Sequence, residues 1–160
     1  MIVWLNGAFG VGKTSVAREL VQLIPEARLS DPERIGFVMR RTFWRNADYQ
    51  DVPLWRRLTR HQIARAARRG TIVVPMTIVR ADIFQEFTND ARTFLLTASR
   101  TTLERRIAGS DDARQWRADN VSRCLDAFEA ESFGERIATD GLTPAEIAAV
   151  ILDRLSTTHS

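Results

Sequence analysis

The stretch Gly7-Ala8-Phe9-Gly10-Val11-Gly12-Lys13-Thr14 decides the reading of this chain. It satisfies G-x-x-x-x-G-K-[ST] at every position, in the setting the motif requires. The apolar run Ile2-Val3-Trp4-Leu5 before it reads as a buried strand within Met1–Asn6. After it, Thr14–Ile24 has helical spacing, with Val16, Leu20, Leu23 and Ile24 on one stripe and Pro25 as the stop. Glycines let such a loop wrap so that successive backbone N–H groups face phosphate oxygens. The helix that follows adds the positive end of its dipole. Lys13 would reach the β- and γ-phosphates, and the Thr14 hydroxyl would ligate Mg²⁺. The expected nucleotide-binding set is Gly7, Ala8, Phe9, Gly10, Val11, Gly12, Lys13, Thr14 and Ser15.

Composition sharpens the reading of Lys13. Arginine supplies 22 of the 23 basic residues, and Lys13 is the sole lysine. Lysine is a compact point charge with rotatable donors, whereas guanidinium is a wide planar fork, so a lysine persists where arginine will not serve. The net charge of +3 and a pI near 9.9 would suit a nucleic-acid partner. The arginines are spread along helices, however, as a GC-rich coding sequence would leave them, and no nucleic-acid partner is expected. The 160 residues make about one domain. A hydrophobic share of 44% and a charged share of 27% support one core and exclude wholesale disorder. The longest apolar runs fall far short of the roughly 18 residues a membrane span needs. No basic segment leads into an apolar stretch at the N-terminus. Cys124, the sole cysteine, leaves no internal disulfide and no multi-cysteine metal site. One cytoplasmic domain over residues 1–160, without stable membrane insertion, is the expectation.

Outward from the motif, strands and helices alternate. Ala27–Ser30 is a short strand, and Asp31-Pro32-Glu33 opens a helix with a cap, a proline and an acid in the first turn. Arg45–Val52 is loop-like. Pro53 opens a helix that runs through Leu54, Leu58, Ile63 and Ala67 to a stop at Gly70. Thr71–Met76 is nearly all apolar, as a strand of a parallel sheet covered on both faces should be. Asp82–Asn89 reads as a short helix, Thr93–Ala98 as a strand and Thr101–Ala108 as a helix. Gly109–Arg117 is polar and loses the apolar period, and Asn120–Ala130 returns to helix. Glu135–Thr139 reads as a last strand and Pro144–Leu155 as a final amphipathic helix. The pattern predicts an α/β chain with a parallel sheet.

Several residues outside the motif are candidates for chemistry. No aspartate follows Ile72–Met76, where a second magnesium-holding carboxylate would stand, and no Asn-Lys-x-Asp guanine reader occurs. ATP with Mg²⁺ is therefore the expected cofactor, and a small kinase fits better than a motor or a switch. Asp31 should lie at the carboxyl edge of the sheet, where ligands bind in open α/β folds. It could take a proton from a substrate hydroxyl or hold Mg²⁺ through water; it would equally serve as a plain helix cap. Arg106 at the end of one helix, with Arg114 and Arg117 beyond it, suits a lid over about 109–118 that neutralises charge during phosphoryl transfer. Solvated helix arginines would look the same. His61 reads as a surface or packing residue and Cys124 as a small buried one. Phe37, Trp44 and Trp55 could wall a substrate pocket or fill the core.

Blocks spaced over most of the chain resemble the tunicamycin resistance proteins, a branch of the P-loop kinase superfamily. They are Trp4–Gly10 through Thr14, Asp31-Pro32-Glu33 with Gly36-Phe37, Pro53-Leu54-Trp55, Val74-Pro75-Met76-Thr77-Ile78-Val79 and Arg123-Cys124. The first marks a phosphate loop, and the Pro-Met-Thr-Ile-Val block is much more particular. The resemblance implies a P-loop kinase-like three-layer α/β/α fold with a five-stranded parallel sheet in order 2-3-1-4-5 and a small lid. It places Asp31 as the substrate-side acid and Arg106 at the lid base. It implies an ATP-dependent phosphotransferase whose catalytic residues are Asp31, Lys13 and Arg106, with Thr14 and Asp31 toward the metal. The acceptor would be a hydroxyl of a small nucleoside- or sugar-containing molecule, a nucleoside antibiotic such as tunicamycin. Sequestration of the antibiotic without phosphotransfer, or a nucleoside or nucleotide kinase, are the alternatives. A homodimer is left open.

Overall fold

Val3, Trp4 and Leu5 are all wholly buried although alternate side chains of a strand point to opposite faces. The strand they form, β1 (Ile2–Gly7), is therefore covered on both sides. The computed structural model describes the backbone of residues 1–30, 32, 49–108 and 114–157, and the side chains of all of these but 49 and 114–118. In chain order β1 is followed by α1 (Lys13–Leu23), β2 (Arg28–Leu29), a 3-10 turn (Tyr49–Asp51), α2 (Pro53–Ala67), β3 (Ile72–Pro75) and α3 (Ala81–Thr88). Next come β4 (Ala91–Thr97), α4 (Arg100–Ala108), α5 (Arg114–Ala130), β5 (Glu135–Ala138) and α6 (Pro144–Thr157).

All strand pairs are parallel, in the order β2-β3-β1-β4-β5. This is the five-stranded sheet and strand order that the family resemblance implied. β1 lies at the centre, with Leu5 beside Pro75 of β3 and Gly7 beside Leu96 of β4. The chain steps to one side of β1 and then to the other, so the loop leaving β1 stands at the point where ligands bind in open α/β sheets. Trp4 faces the layer of α2 and α3: Phe87 lies 5.7 Å from its ring and 5.8 Å from that of Trp55. Val3 and Leu5 face the opposite layer, where α1 packs on β1, β3 and α6. One buried cluster runs from Val3 to Leu155.

Two helices turn otherwise than their sequences suggest. On α1 the buried stripe is Lys13, Val16, Ala17 and Leu20, while Leu23 is 47% exposed. On α2 Leu54 and Leu58 are 57% and 56% exposed, and Trp55, Thr59 and Ile63 face inward. The large Trp55 side chain buries more surface than either leucine and fixes the rotation of the helix. Trp55 is 1% exposed, so it fills the core and does not wall a pocket. The polar stretch also ends earlier than expected, because α5 starts at Arg114. Arg114, Gln115 and Ala118 are good helix formers, and their propensity does not depend on an apolar period. Phe37, Trp44, Asp31 and 109–113 of the expected lid lie outside the described residues.

Candidate nucleotide-binding site

β1 ends at Gly7 and α1 begins at Lys13, so the motif forms the whole connection between a central strand and a helix. Two of its glycines sit in left-handed backbone, and one of them is also closely packed. Gly10 has a φ of 81°, and a Cβ there would meet Ile107 Cγ1 at 2.8 Å and the Leu103 carbonyl at 3.0 Å. Gly12, with a φ of 100°, is the residue on which α1 starts, and a Cβ there would meet nothing within 4 Å. Its left-handed backbone is where the loop turns into α1. No side chain caps α1 among the described residues, and its first turn holds no acid. The first bond closing the helix is Val16 N–H to the Gly12 carbonyl, at 3.0 Å. The start of α1 thus presents backbone donors and a dipole end to the cleft, the arrangement an anion completes.

Lys13 is 8% exposed. Its Nζ donates to the carbonyls of Gly7 at 3.0 Å and Ala8 at 3.2 Å, and lies 5.6 Å from the centre of the Phe9 ring. The ammonium is therefore stored within the loop that would receive the phosphates. Thr14 and Ser15 are exposed at the start of α1, with their hydroxyls available to a hard cation or a phosphate. Among the described residues no group of three His, Cys, Asp or Glu could hold a metal ion by itself. A magnesium ion brought in with phosphate oxygens and held by Thr14 suits this donor set.

The foot of the loop is tied to the segment after β3. Asn6 is wholly buried, and its side chain makes three bonds. Its Oδ1 accepts the N–H groups of Gly7 at 2.9 Å and Ile78 at 3.0 Å, and its Nδ2 donates to the Ile78 carbonyl at 2.8 Å. The neighbouring Thr77 hydroxyl donates to the Gly7 carbonyl at 2.9 Å. The Thr77 carbonyl in turn accepts Gln50 Nε2 at 2.8 Å, which brings the Tyr49–Asp51 turn against this segment.

At the other end of the cleft, Arg106 in the last turn of α4 joins the loop to the segment after β5. It donates to the Val11 carbonyl at 3.0 Å, to Thr139 Oγ1 at 3.2 Å and to the Thr139 carbonyl at 3.2 Å. Asp140 next to it accepts the Ser99 N–H and hydroxyl, both at 2.9 Å, and so braces this segment against the start of α4. Hydrogen bonds from Thr102 first, and then from Ser99, hold the Asp140 carboxyl below the usual carboxylate range. The start of α6 is closed by a reciprocal cap. The Thr143 N–H and hydroxyl donate to Glu146 Oε2, each at 2.7 Å, and Glu146 N–H donates to Thr143 Oγ1 at 3.3 Å. Those bonds lower the Glu146 carboxyl as well.

The resulting cleft has a volume of about 410 Å³. The chain from Phe9 to Val16 forms its floor, and Arg106, Leu142, Pro144 and Ile147 form its far wall. Of the expected set, Phe9–Ser15 and Arg106 line the cleft together, while the carbonyls of Gly7 and Ala8 support Lys13. Arg114 and Arg117 fall in the first turn of α5, and their side chains lie outside the described residues, as does Asp31. His61 is exposed on α2, and Cys124 is buried on α5. The sequence reading missed Asn6, Thr77 and the wall from Leu142 to Ile147. The Thr143-x-x-Glu146 capping box is the one local signal that marks the start of that wall.

A family model described as an AAA domain matches residues 2–132. In structure the chain is similar to the tunicamycin resistance protein of Deinococcus radiodurans. The TM-score is 0.76 at 26% identity, over 96% of this chain and 94% of that one. It is also similar to a sugar kinase from a Janibacter species, with a TM-score of 0.72 at 16% identity over 97% and 94% of the two chains. A shikimate kinase from Acinetobacter baumannii, solved with shikimate, gives 0.72 at 14% over 99% and 94%. No curated protein matches the sequence. No helix among the described residues is long and apolar enough to cross a membrane.

Proposed function

The chain belongs to the AAA domain family and has a P-loop kinase-like fold, and from these we propose that it is an ATP-dependent phosphotransferase. Its acceptor is a hydroxyl of a small nucleoside- or sugar-containing molecule, a nucleoside antibiotic such as tunicamycin. The observation that carries the reading is the uncapped start of α1 beside Lys13, open to a cleft of about 410 Å³. The likeness to a protein named for tunicamycin resistance supports the choice of acceptor.

In this reading the amides at the start of α1 and the Lys13 ammonium hold the β- and γ-phosphates. Thr14 and Asp31 would hold Mg²⁺, which would supply positive charge to the phosphate oxygens. Asp31 takes the proton of the acceptor hydroxyl as that oxygen bonds to the γ-phosphorus and the bond to ADP breaks. Arg106, which braces Val11 and Thr139, and Arg114 and Arg117 offset the charge that develops, with the segment 109–118 acting as the lid. Leu142, Pro144 and Ile147 give the base an apolar wall.

One observation favours a second reading, sequestration of the antibiotic by an ATP-bound protein without transfer. Thr77 stands after β3 where a second carboxylate would serve Mg²⁺, and it donates its hydroxyl to Gly7. Incubation with Mg-ATP and a panel of nucleoside antibiotics, followed by mass spectrometry, separates the two. A product heavier by one phosphoryl group is expected. Tight antibiotic binding that needs ATP but leaves the antibiotic mass unchanged would replace transfer by sequestration.

A further inference from the structure

Phe9 is the apolar side chain of the phosphate loop most open to the cleft. Ala8 and Val11 are 3% and 1% exposed, whereas Phe9 is partly exposed and lines the cleft together with Lys13, Thr14 and Ser15. The local backbone puts it there. Val11 N–H donates to the Ala8 carbonyl at 3.3 Å and closes a four-residue turn with Phe9 and Gly10 at its tip. The third position of such a turn accepts the φ of 81° that Gly10 has. Phe9 also packs against the hydrophobic core, and its ring centre lies 5.6 Å from Lys13 Nζ. An aromatic face at that distance attracts an ammonium. It also takes up space beside the ammonium that water would otherwise fill.

We propose that the Phe9 ring keeps water away from the γ-phosphate, so that ATP bound without an acceptor is not hydrolysed. The inference rests on the reading of the cleft as a nucleotide site, in which Lys13 meets the β- and γ-phosphates. Water and an acceptor hydroxyl are similar nucleophiles. In the unwanted reaction a water oxygen bonds to the γ-phosphorus, the bond to the ADP oxygen breaks, and the water proton passes to Asp31 or to solvent. Donors that offset charge on the transferring group favour both reactions alike. Discrimination therefore lies in which nucleophile can stand next to the phosphate. An apolar ring offers a water no hydrogen-bond partner there, whereas an acceptor is placed by contacts along its whole length.

The test follows release of inorganic phosphate from Mg-ATP by the full chain without any acceptor, with ATP binding measured beside it by calorimetry. Phe9→Ala, which opens the space of the ring, is expected to raise phosphate release about tenfold or more, a small part of what placing a nucleophile is worth. Phe9→Leu, which keeps part of the apolar bulk, is expected to raise it less. Adding Lys13→Ala to Phe9→Ala should abolish the gain, which assigns the hydrolysis to this cleft. Release unchanged in Phe9→Ala would overturn the inference, as would an equal rise in Phe9→Leu or a rise that survives the loss of Lys13. Failure of the wild-type chain to bind ATP would instead overturn the nucleotide reading itself.

Discussion

At the scale of single residues, the sole lysine is the sharpest handle on the chemistry. Lys13→Ala removes the ammonium stored on the Gly7 and Ala8 carbonyls. ATP affinity and any turnover are expected to fall at least tenfold, measured by titration and product formation. Lys13→Arg should recover little of this, because a planar fork does not fit a pocket that leaves the lysine 8% exposed. An arginine variant equal to wild type would show that charge alone suffices. Asp31→Asn separates proton transfer from helix capping, since asparagine caps about as well as aspartate. Turnover is expected to drop by roughly 10²–10⁴-fold, the usual contribution of a positioned proton acceptor, with the melting temperature unchanged. A stable asparagine variant with normal turnover would leave Asp31 as a cap.

At the scale of elements, the start of α6 and the Asp140 that precedes it are one place where pH enters, as is Asp82, whose carboxyl Arg80 lowers at the start of α3. The Glu146 and Asp140 carboxyls are both lowered by hydrogen bonds they accept when ionised, from Thr143 and from Thr102 and Ser99 respectively. Their contribution to stability is therefore present above the usual carboxylate pKa of about 4 and is lost as pH falls through the lower folded values. Melting curves are expected to be flat near neutral pH and to fall off in acid. Thr143→Ala should cost about 1 kcal/mol at neutral pH, as loss of a helix cap does, and should flatten part of that acid decline. An unchanged acid limb in the alanine variant would place the pH sensitivity elsewhere. The elements also show what a sequence can and cannot disclose. Gly7 to Thr14 was legible because the motif is local: its glycines act through their own backbone, and the Lys13 side chain meets partners five and six residues away. Asn6 and Thr77 were not, since their partners are 72 and 70 positions away and depend on β1 lying beside β3. The inward face of α2 was not legible either, because apolar spacing does not say which of two neighbouring stripes a tryptophan will claim.

At the scale of the whole molecule, strands and helices were readable from their apolar runs, and the order of the strands came from the resemblance. The walls of the cleft were not readable, because they come from opposite ends of the chain. Binding of Mg-ATP should therefore register globally. With nucleotide at about a hundred times its dissociation constant, the folded state gains about 2.7 kcal/mol, and the melting temperature should rise by about 5–10 °C. A rise equally large with nucleotide but in Lys13→Ala would mean that ligand binds outside the cleft. The placement of Leu142, Pro144 and Ile147 opposite the phosphate loop also has a consequence for synthesis. A ribosome makes the loop long before the facing wall. A nascent chain halted at residue 132 would hold every strand but β5, yet lack Leu142, Pro144 and Ile147 of the cleft. Arrested chains of increasing length, probed with an immobilised ATP analogue, should be captured only once α6 has left the exit tunnel. Competence for the ligand is thus acquired only with α6, well after the motif that announces it.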